Sequence, residues 1–199
     1  MPPGVLAAVL LLAGHPLAAL LPAFLALAVA AFFRDPDRRG PGAPESILAP
    51  ADGRILDVGP AEDLPGGTAL SIFLSLFDVH VNRSPVAGRI REVRSWPGRA
   101  LPAFSPRAAG ANRGTELAID TDRGPVRMRQ IAGLVARRVV CWKHPGDPVE
   151  RGERVGLIRF GSRVELILPA GSRVRVGRGE RVRAGETVIG SLPPGRKDG

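Results

Sequence analysis

Glycine, proline and aspartate interrupt the chain so often after residue 46 that no long segment there keeps a helical spacing of apolar residues. The 199 residues include 25 Gly and 20 Pro. Short runs rich in β-branched residues lie between these breaks, a pattern typical of strands joined by turns. We therefore predict a mainly β body. The predicted strands are 54–58, 69–74, 88–93, 115–121, 125–131, 135–141, 163–168 and 173–176.

The N-terminal region has a different character, because residues 4–33 carry no charged side chain. A membrane-spanning helix needs about 20 apolar residues. His15-Pro16 and Pro22 interrupt the stretch, so it forms either one kinked span or a hairpin of two short helices. A cleaved signal peptide is the rival interpretation, but it would need a basic start that this chain lacks. We predict a hydrophobic helical membrane segment and its flank over residues 1–39.

Basic residues follow this apolar segment in the run Arg34-Asp-Pro-Asp-Arg-Arg39. The positive-inside rule then places the remaining chain on the cytoplasmic side of the cell membrane. The same flank can bind an anionic membrane surface. We predict that residues 40–199 form one β-rich catalytic domain there.

A weak internal repeat marks the last third of the chain. Residues 147–156 are echoed by residues 179–188, each with a valine, a Gly-Glu turn and a second valine. The pattern resembles lipoyl- and biotinyl-type domains, which implies a barrel-sandwich-like body. Such carriers modify a lysine at a hairpin tip. Lys143 and Lys197 lie outside any such setting, so the fold is expected without the carrier function.

The charge of the chain points to phosphate or carboxylate groups as partners. Lys and Arg total 28 against 19 Asp and Glu, a net charge of +9, and nearly all of the positive charge is arginine. Guanidinium groups bind both kinds of anion in a bidentate way. Nucleic acid is not expected, because tyrosine is absent, aromatic residues are few and no nucleic-acid motif is present. The single cysteine, Cys141, excludes an internal disulfide framework and a cysteine-rich zinc site, and no metal is predicted.

Gly161-Ser162 offers a route to covalent chemistry in a chain that is poor in amine and thiol nucleophiles. A serine hydroxyl in a strained turn can attack the carbonyl before it, and elimination of the resulting ester leads to a pyruvoyl ketone. Glycine before the serine suits this reaction, because it tolerates strained backbone and leaves its carbonyl open. The serine also needs a nearby base. The dipeptide alone is weak evidence, since Gly171-Ser172 and Gly190-Ser191 are also present.

Two further motifs supply polar groups for such a reaction. The stretch 70–88 brings Asp78, His80, Asn82 and Arg83 within six residues, and residues 49–53 place Asp52 before a glycine. Together the chain resembles the phosphatidylserine decarboxylase family, in its short bacterial and archaeal form. The matching stretches are Phe32-Phe-Arg-Asp-Pro-Asp37, Ala49-Pro-Ala-Asp-Gly53, Phe73-Leu-Ser-Leu-Phe-Asp-Val-His-Val-Asn-Arg-Ser-Pro85, residues 131–142 and residues 156–164.

The resemblance implies a proenzyme that cuts itself between Gly161 and Ser162. Residues 1–161 would become the β chain, and residues 162–199 the α chain, with Ser162 converted to the pyruvoyl cofactor. The substrate amine would form a Schiff base with this ketone, and loss of CO2 from phosphatidylserine would give phosphatidylethanolamine. The two chains would associate as a heterodimer, either alone or as a dimer of heterodimers.

The resemblance also assigns roles to other residues. Asp52 and His80 would activate Ser162 in the manner of a hydrolase triad. Longer members have a second histidine where this chain has Arg83, so His80 serves both self-cleavage and decarboxylation or another group substitutes. Arg163 and Arg83 are candidate contacts for the phosphate or carboxylate of the substrate.

Three other interpretations stay open at this point. Ether-linked lipids would make archaetidylserine the substrate. A non-enzymatic barrel-sandwich module anchored to the membrane would remain one chain of 21.0 kDa. A hydrolase using Ser162, His80 and Asp52 would need an oxyanion hole, which the sequence does not display.

Overall fold

A computed structural model describes residues 1–105, 107–134, 138–158 and 161–195 of the chain. Two predicted features fall partly or wholly outside these ranges, namely the start of the strand at 135–141 and Lys197. The chain divides into two compact units, Met1–Pro36 and Asp37–Gly199.

The first unit consists of two apolar helices, α1 (Pro3–Leu12) and α2 (Pro16–Phe32). Each begins with a proline in its first turn, where the missing N–H costs no hydrogen bond. The helices are separated by a turn at Gly14, which has a φ of 76°, and they pack against each other. Of the helices that the structure describes, none combines the length and apolarity that a membrane crossing requires. The predicted membrane segment therefore stays a prediction.

The second unit contains short strands and one helical turn. In chain order they are β1 (Ser46–Leu48), β2 (Gly53–Pro60), β3 (Thr68–Leu74), β4 (Val81–Arg83), β5 (Gly88–Trp96), α3 (Ala108–Ala111), β6 (Gly114–Asp120), β7 (Val126–Ala132), β8 (Val139–Cys141), β9 (Pro148–Val149), β10 (Arg154–Ile158), β11 (Ser162–Leu168), β12 (Arg173–Val174), β13 (Arg181–Val182) and β14 (Val188–Ser191). The prediction of a mainly β protein is confirmed.

Three antiparallel sheets organise these strands. The largest has the order β13-β2-β3-β11-β7-β6-β5-β9, and the two smaller sheets have the orders β1-β14-β12 and β4-β10-β8. The strand β11 lies in the middle of the large sheet, paired on one side with β3 and on the other with β7. Its residues therefore gain a partner on both edges.

The hydrophobic core is built from buried residues of all three sheets. Val164 and Leu166 of β11 point into it, together with Ile158 of β10 and Ile189 of β14. Because side chains alternate along a strand, Arg163 and Glu165 point to the opposite face of the large sheet. The first residue of β11, Ser162, therefore faces the interior.

The repeat seen in the sequence forms two similar turns that meet at one side chain. Gly152 and Gly185 occupy equivalent positions and have φ values of 82° and 71°. Arg83 Nη1 donates to the carbonyl oxygen of Gly152 at 3.0 Å. A Cβ on Gly185 would lie 2.7 Å from Arg83 Cδ, so the arginine fits between both turns only because position 185 has no side chain.

Candidate active site

The bond between Gly161 and Ser162 lies at the start of the central strand β11. Gly161 has a φ of 63°, in the left-handed region that favours glycine. Ser162 pairs with Leu74 and Ala132 on the two neighbouring strands and is fully buried. Its Oγ has no hydrogen-bond partner among the described residues. A buried hydroxyl without a partner is costly, so Ser162 Oγ is a candidate for a functional role.

Gly133 packs directly against the carbonyl group that Ser162 would attack. A Cβ at position 133 would lie 2.1 Å from the oxygen and 3.0 Å from the carbon of the Gly161 carbonyl. The same Cβ would lie 3.2 Å from that of Ala103. Three segments of the chain therefore meet at this carbonyl, and position 133 has room for glycine only.

His80 is buried between β3 and β4, and its orientation fixes its tautomer. Its Nδ1 lies 2.8 Å from the carbonyl oxygen of Asp78. Since a carbonyl can only accept, Nδ1 donates in this hydrogen bond. In a neutral ring Nε2 would then carry the lone pair and be the nitrogen that could accept a proton.

Asp78 holds the turn on which His80 stands. Its carboxylate accepts hydrogen bonds from the backbone N–H of Ser75 at 2.8 Å and from the Ser75 hydroxyl at 2.7 Å. Arg181 Nη2 also donates to it at 3.2 Å. Asp78 therefore fixes the turn with its side chain and His80 with its carbonyl.

Backbone pairing brings His80 toward the strand that leads to Ser162. The backbone N–H of Ile158 donates to the carbonyl oxygen of His80 at 3.4 Å. Ile158 ends β10, three residues before Gly161. His80 and Ser162 are far apart in sequence, and the pairing of β4 with β10 places His80 beside the strand that precedes Ser162.

A buried amide pair links β4 to the large sheet beside Ser162. Gln130 Nε2 donates to Asn82 Oδ1 at 2.8 Å, and both residues are fully buried. His80 and Asn82 are two residues apart, as are Gln130 and Ala132, the residue that pairs with Ser162. Because residues i and i+2 of a strand share a face, Gln130, Ala132 and the paired Ser162 share the face that Asn82 contacts. His80 is buried just before β4.

Gln130 was not singled out from the sequence, although a signal was present. It follows Val126 and Met128 on the alternating apolar face of the predicted strand 125–131, where an amide interrupts the pattern. The remaining amide groups, Asn82 Nδ2 and Gln130 Oε1, have no hydrogen-bond partner among the described residues. They are therefore polar groups available inside the site.

Asp52 belongs to a buried ion pair. Both of its carboxylate oxygens accept from Arg38, one of them from Nη2 at 2.9 Å, and Oδ1 also accepts from the backbone N–H of Ala184 at 2.8 Å. The Arg38 side chain is 6% exposed and that of Asp52 is 12% exposed. Asp52 precedes β2, at the end of the sheet where β3 ends and β11 begins. It therefore lies two strands from Ser162, or roughly 10 Å between backbones.

The two arginines proposed for substrate binding have different environments. Arg83 is 5% exposed and lies in the interior between the repeat turns. Arg163 lines a cleft of about 730 Å³ on the outer face of the large sheet. Its Nη2 contacts Glu165 Oε1 at 2.7 Å. Arg163 follows Ser162 directly, yet its side chain points to the other face.

The cleft also contains a cluster of charges around Asp63. A hydrogen bond from Arg127 at 2.8 Å, together with one from Arg129 at 2.7 Å, holds the pKa of Asp63 below its ordinary value against partial burial. Burial opposes the charge on Arg129, but hydrogen bonds to Glu116 and Asp63 raise its pKa overall. The cleft therefore presents fixed charges of both signs. Within the described ranges, no cluster of three or more His, Cys, Asp or Glu side chains could hold a metal ion.

Comparison with known proteins gives a consistent result. The sequence profile of a family described as phosphatidylserine decarboxylase matches residues 25–190. A protein of Symbiobacterium thermophilum named phosphatidylserine decarboxylase proenzyme is 49% identical over 174 residues, covering 85% of this chain and 81% of the relative. Proteins with the same name from Geobacter sulfurreducens and Desulfotalea psychrophila are 46% and 44% identical, covering 84% and 81% of this chain and 78% of each relative.

Proposed function

The chain belongs to the phosphatidylserine decarboxylase family, and from this premise we propose how its residues perform the reaction. It is a carboxy-lyase of phospholipid biosynthesis that converts phosphatidylserine to phosphatidylethanolamine with release of CO2. One observation carries the mechanism: a fully buried serine hydroxyl, without a described hydrogen-bond partner, follows a glycine of positive φ.

Ser162 is the proposed nucleophile of self-cleavage. Its Oγ attacks the carbonyl carbon of Gly161, the C–N bond between the two residues breaks, and an ester takes its place. Loss of the Cα proton of residue 162 then eliminates the ester and frees the carboxylate of Gly161. Hydrolysis of the resulting enamine releases ammonia and leaves the pyruvoyl group at residue 162. Residues 1–161 and 162–199 become the β and α chains of a heterodimer.

His80 is the proposed base for the attack. The hydrogen bond from its Nδ1 to Asp78 leaves Nε2 able to accept the proton of the Ser162 hydroxyl. The same nitrogen can later return a proton to the substrate carbon, so one histidine serves both steps.

Asp52 supports the site through charge in this proposal. Its carboxylate is already bound by Arg38 and by the backbone of Ala184. The arrangement fixes the start of β2 at the end of the sheet where β11 begins. Its role is therefore to stabilise and to position.

The pyruvoyl ketone, once formed, supplies the electron sink that accepts the bonding electrons when the substrate carboxylate leaves as CO2. The residues around position 162 fit such a group. Gly133 and Ala103 leave little room for other atoms beside the Gly161 carbonyl. The free Nδ2 of Asn82 is a donor that could hydrogen-bond a new carbonyl oxygen. The burial of residue 162 excludes water that would compete for the ketone.

Arg163 and Arg83 are the proposed contacts for the anionic groups of the substrate. Arg163 opens on the cleft and is held by Glu165, which an incoming phosphate could replace. Arg83 stands at the position of the second histidine of longer members and is buried. Of the two, Arg163 is the one that lines an open cleft, with 13% of its side chain exposed.

The remaining features of the proposal concern architecture and location. The two repeat turns that meet at Arg83 support a barrel-sandwich-like arrangement of the second unit. The apolar helices of residues 1–36 support attachment to the cell membrane, with the catalytic unit on the cytoplasmic side. The anionic surface of that membrane suits the basic flank that ends at Arg39.

The intact mass of the denatured protein tests this function. Wild-type protein should give two polypeptides divided after Gly161, the smaller without a free amino terminus. Ser162→Ala should remain one inactive chain of about the 21.0 kDa of the full sequence. Ser172→Ala is a matched control, because Ser172 also follows a glycine of positive φ, 81° at Gly171, and it should be cleaved normally. An uncut wild-type chain would instead support the non-enzymatic module.

A further inference from the structure

Large apolar side chains are exposed around the reacting bond rather than over the whole second unit. The structure describes five exposed large hydrophobic residues after residue 37, and four of them, Leu76, Phe77, Phe104 and Leu134, are between 51% and 84% exposed. The fifth, Trp142, is 43% exposed. Exposed apolar residues that are clustered mark interaction sites, whereas single ones do not.

The backbone places these four residues at one end of the large sheet. Leu76 and Phe77 follow the end of β3 by two and three residues, and Leu134 follows the end of β7 by two. The last residues of those strands, Leu74 and Ala132, are the partners of Ser162. These segments therefore leave the sheet beside Ser162.

Phe104 reaches the same place from the connection between β5 and β6. Its ring makes an edge contact with that of Phe73, with centroids 6.1 Å apart, and Phe73 pairs with Arg163. Its neighbour Ala103 packs near Gly133, beside the Gly161 carbonyl. We call Leu76, Phe77, Phe104 and Leu134 the apolar rim.

The segments that carry the apolar rim are also basic. Residues 97–115 and 132–146 contain no Asp or Glu. Arg107, Arg113 and Arg138 lie in them, and all three are exposed. These arginines have no acidic neighbours in sequence and lie beside apolar side chains. Such a combination suits a lipid surface, where apolar chains lie beneath anionic headgroups.

We propose that the apolar rim inserts into the surface of an anionic bilayer and so opens the reacting residue directly onto the membrane. The inference rests on Ser162 as the reacting residue, since a substrate with two acyl chains must otherwise leave the bilayer to reach a buried site. The rim would replace water around the mouth of the site with lipid, and the arginines would contact the headgroups. This attachment is separate in sequence from the apolar helices of residues 1–36.

A fluorescent probe on the rim tests insertion without relying on activity. In a full-length Cys141→Ser chain, Phe77→Cys or Phe104→Cys would carry an environment-sensitive NBD label, and Trp142→Cys would carry the control label. Trp142 is exposed but contacts β10 at Val155, away from its Ile158 end. With vesicles of phosphatidylserine and phosphatidylcholine, the labels at 77 and 104 should shift to the blue and be quenched by lipids with a nitroxide near the headgroup. The label at 142 should do neither.

Two results would overturn the proposal. Labels at 77 and 104 could keep their aqueous emission while the protein is bound to vesicles. They could also shift without lipid as protein concentration rises, which would identify a second copy as the partner. Repeating the measurement in Ser162→Ala separates insertion from self-cleavage, because the uncut chain has the same rim and should insert equally.

A rate comparison provides a second test. The variant with all four rim residues changed to serine should lower the ratio of the rate on vesicles to the rate on short-chain, monomerically dissolved phosphatidylserine by on the order of tenfold or more. Trp142→Ser should leave this ratio unchanged. An unchanged ratio in the rim variant, with self-cleavage intact by mass, would contradict insertion.

Discussion

Gly133→Ala should slow self-cleavage while leaving the fold in place. The new Cβ would start 2.1 Å from the Gly161 carbonyl oxygen, so one of the two must move by roughly 1 Å to reach ordinary contact. A displacement of that size at a reacting group costs about 100-fold in rate. Overpacking of this kind also costs about 1–3 kcal/mol of stability, too little to unfold most domains.

The assay follows the appearance of the 162–199 fragment with time after synthesis, by intact mass. Two glycine variants serve as controls. Gly59→Ala meets no atom within 4 Å, whereas Gly88→Ala creates a contact of 2.3 Å with the carbonyl oxygen of Asp120, in the strand pair β5–β6. Both should be cleaved at the normal rate, although Gly88→Ala should be destabilised. A folded Gly133→Ala chain that is cleaved as fast as wild type would refute the reasoning.

Three further predictions concern charged groups. Asp52→Asn should lower the free energy of unfolding by about 3–5 kcal/mol, because it removes the carboxylate nearest to the buried Arg38 and leaves Glu186 at 3.9 Å as its acidic neighbour. Denaturant unfolding in the uncut Ser162→Ala background measures this, and a loss below about 1 kcal/mol would count against a buried pair. The lowered pKa of Asp63 means that its contribution to stability is complete above its unfolded value of 3.8 and disappears as pH falls through its folded value. Asp63→Asn should therefore flatten the acid limb of the stability curve, and an unchanged limb would contradict the pairing with Arg127. Arg163→Gln should raise the KM for phosphatidylserine by about tenfold or more if the guanidinium binds a substrate anion, with a smaller effect on kcat. An unchanged KM would mean that Arg163 only pairs with Glu165 and does not bind substrate.

The sequence predicted the long strands well because their signal is local. Alternation and Gly or Pro breaks located β2, β3, β5, β6, β7 and β11 to within a few residues. The strands β1 and β4 have only three residues each and are buried throughout. They show no alternation, and they exist because distant partners, β14 and β10, pair with them.

The residues of the proposed site could be predicted in part for the same reason. Gly161, Ser162 and His80 stand in short motifs, so each could be proposed before the fold was known. Gly133 could not, because its requirement arises where two segments meet that are almost thirty residues apart. If Ser162 is buried, the alternation of side chains along a strand predicts that Arg163 points outward. The structure has Ser162 buried and Arg163 partly exposed.

The central position of β11 has a consequence for the life of the protein after it is cut. Under the proposed cleavage, three strands of the 162–199 fragment pair with strands of the larger fragment. Strand β11 pairs with β3 and β7, β13 pairs with β2, and β14 pairs with β1. Unfolding then separates two chains instead of extending one, so the stability of the mature protein should rise with its concentration, as that of its precursor should not. The precursor would thus fold as a single chain. The cut enzyme would be a complex of two chains, held together by a sheet that formed before the peptide bond was broken.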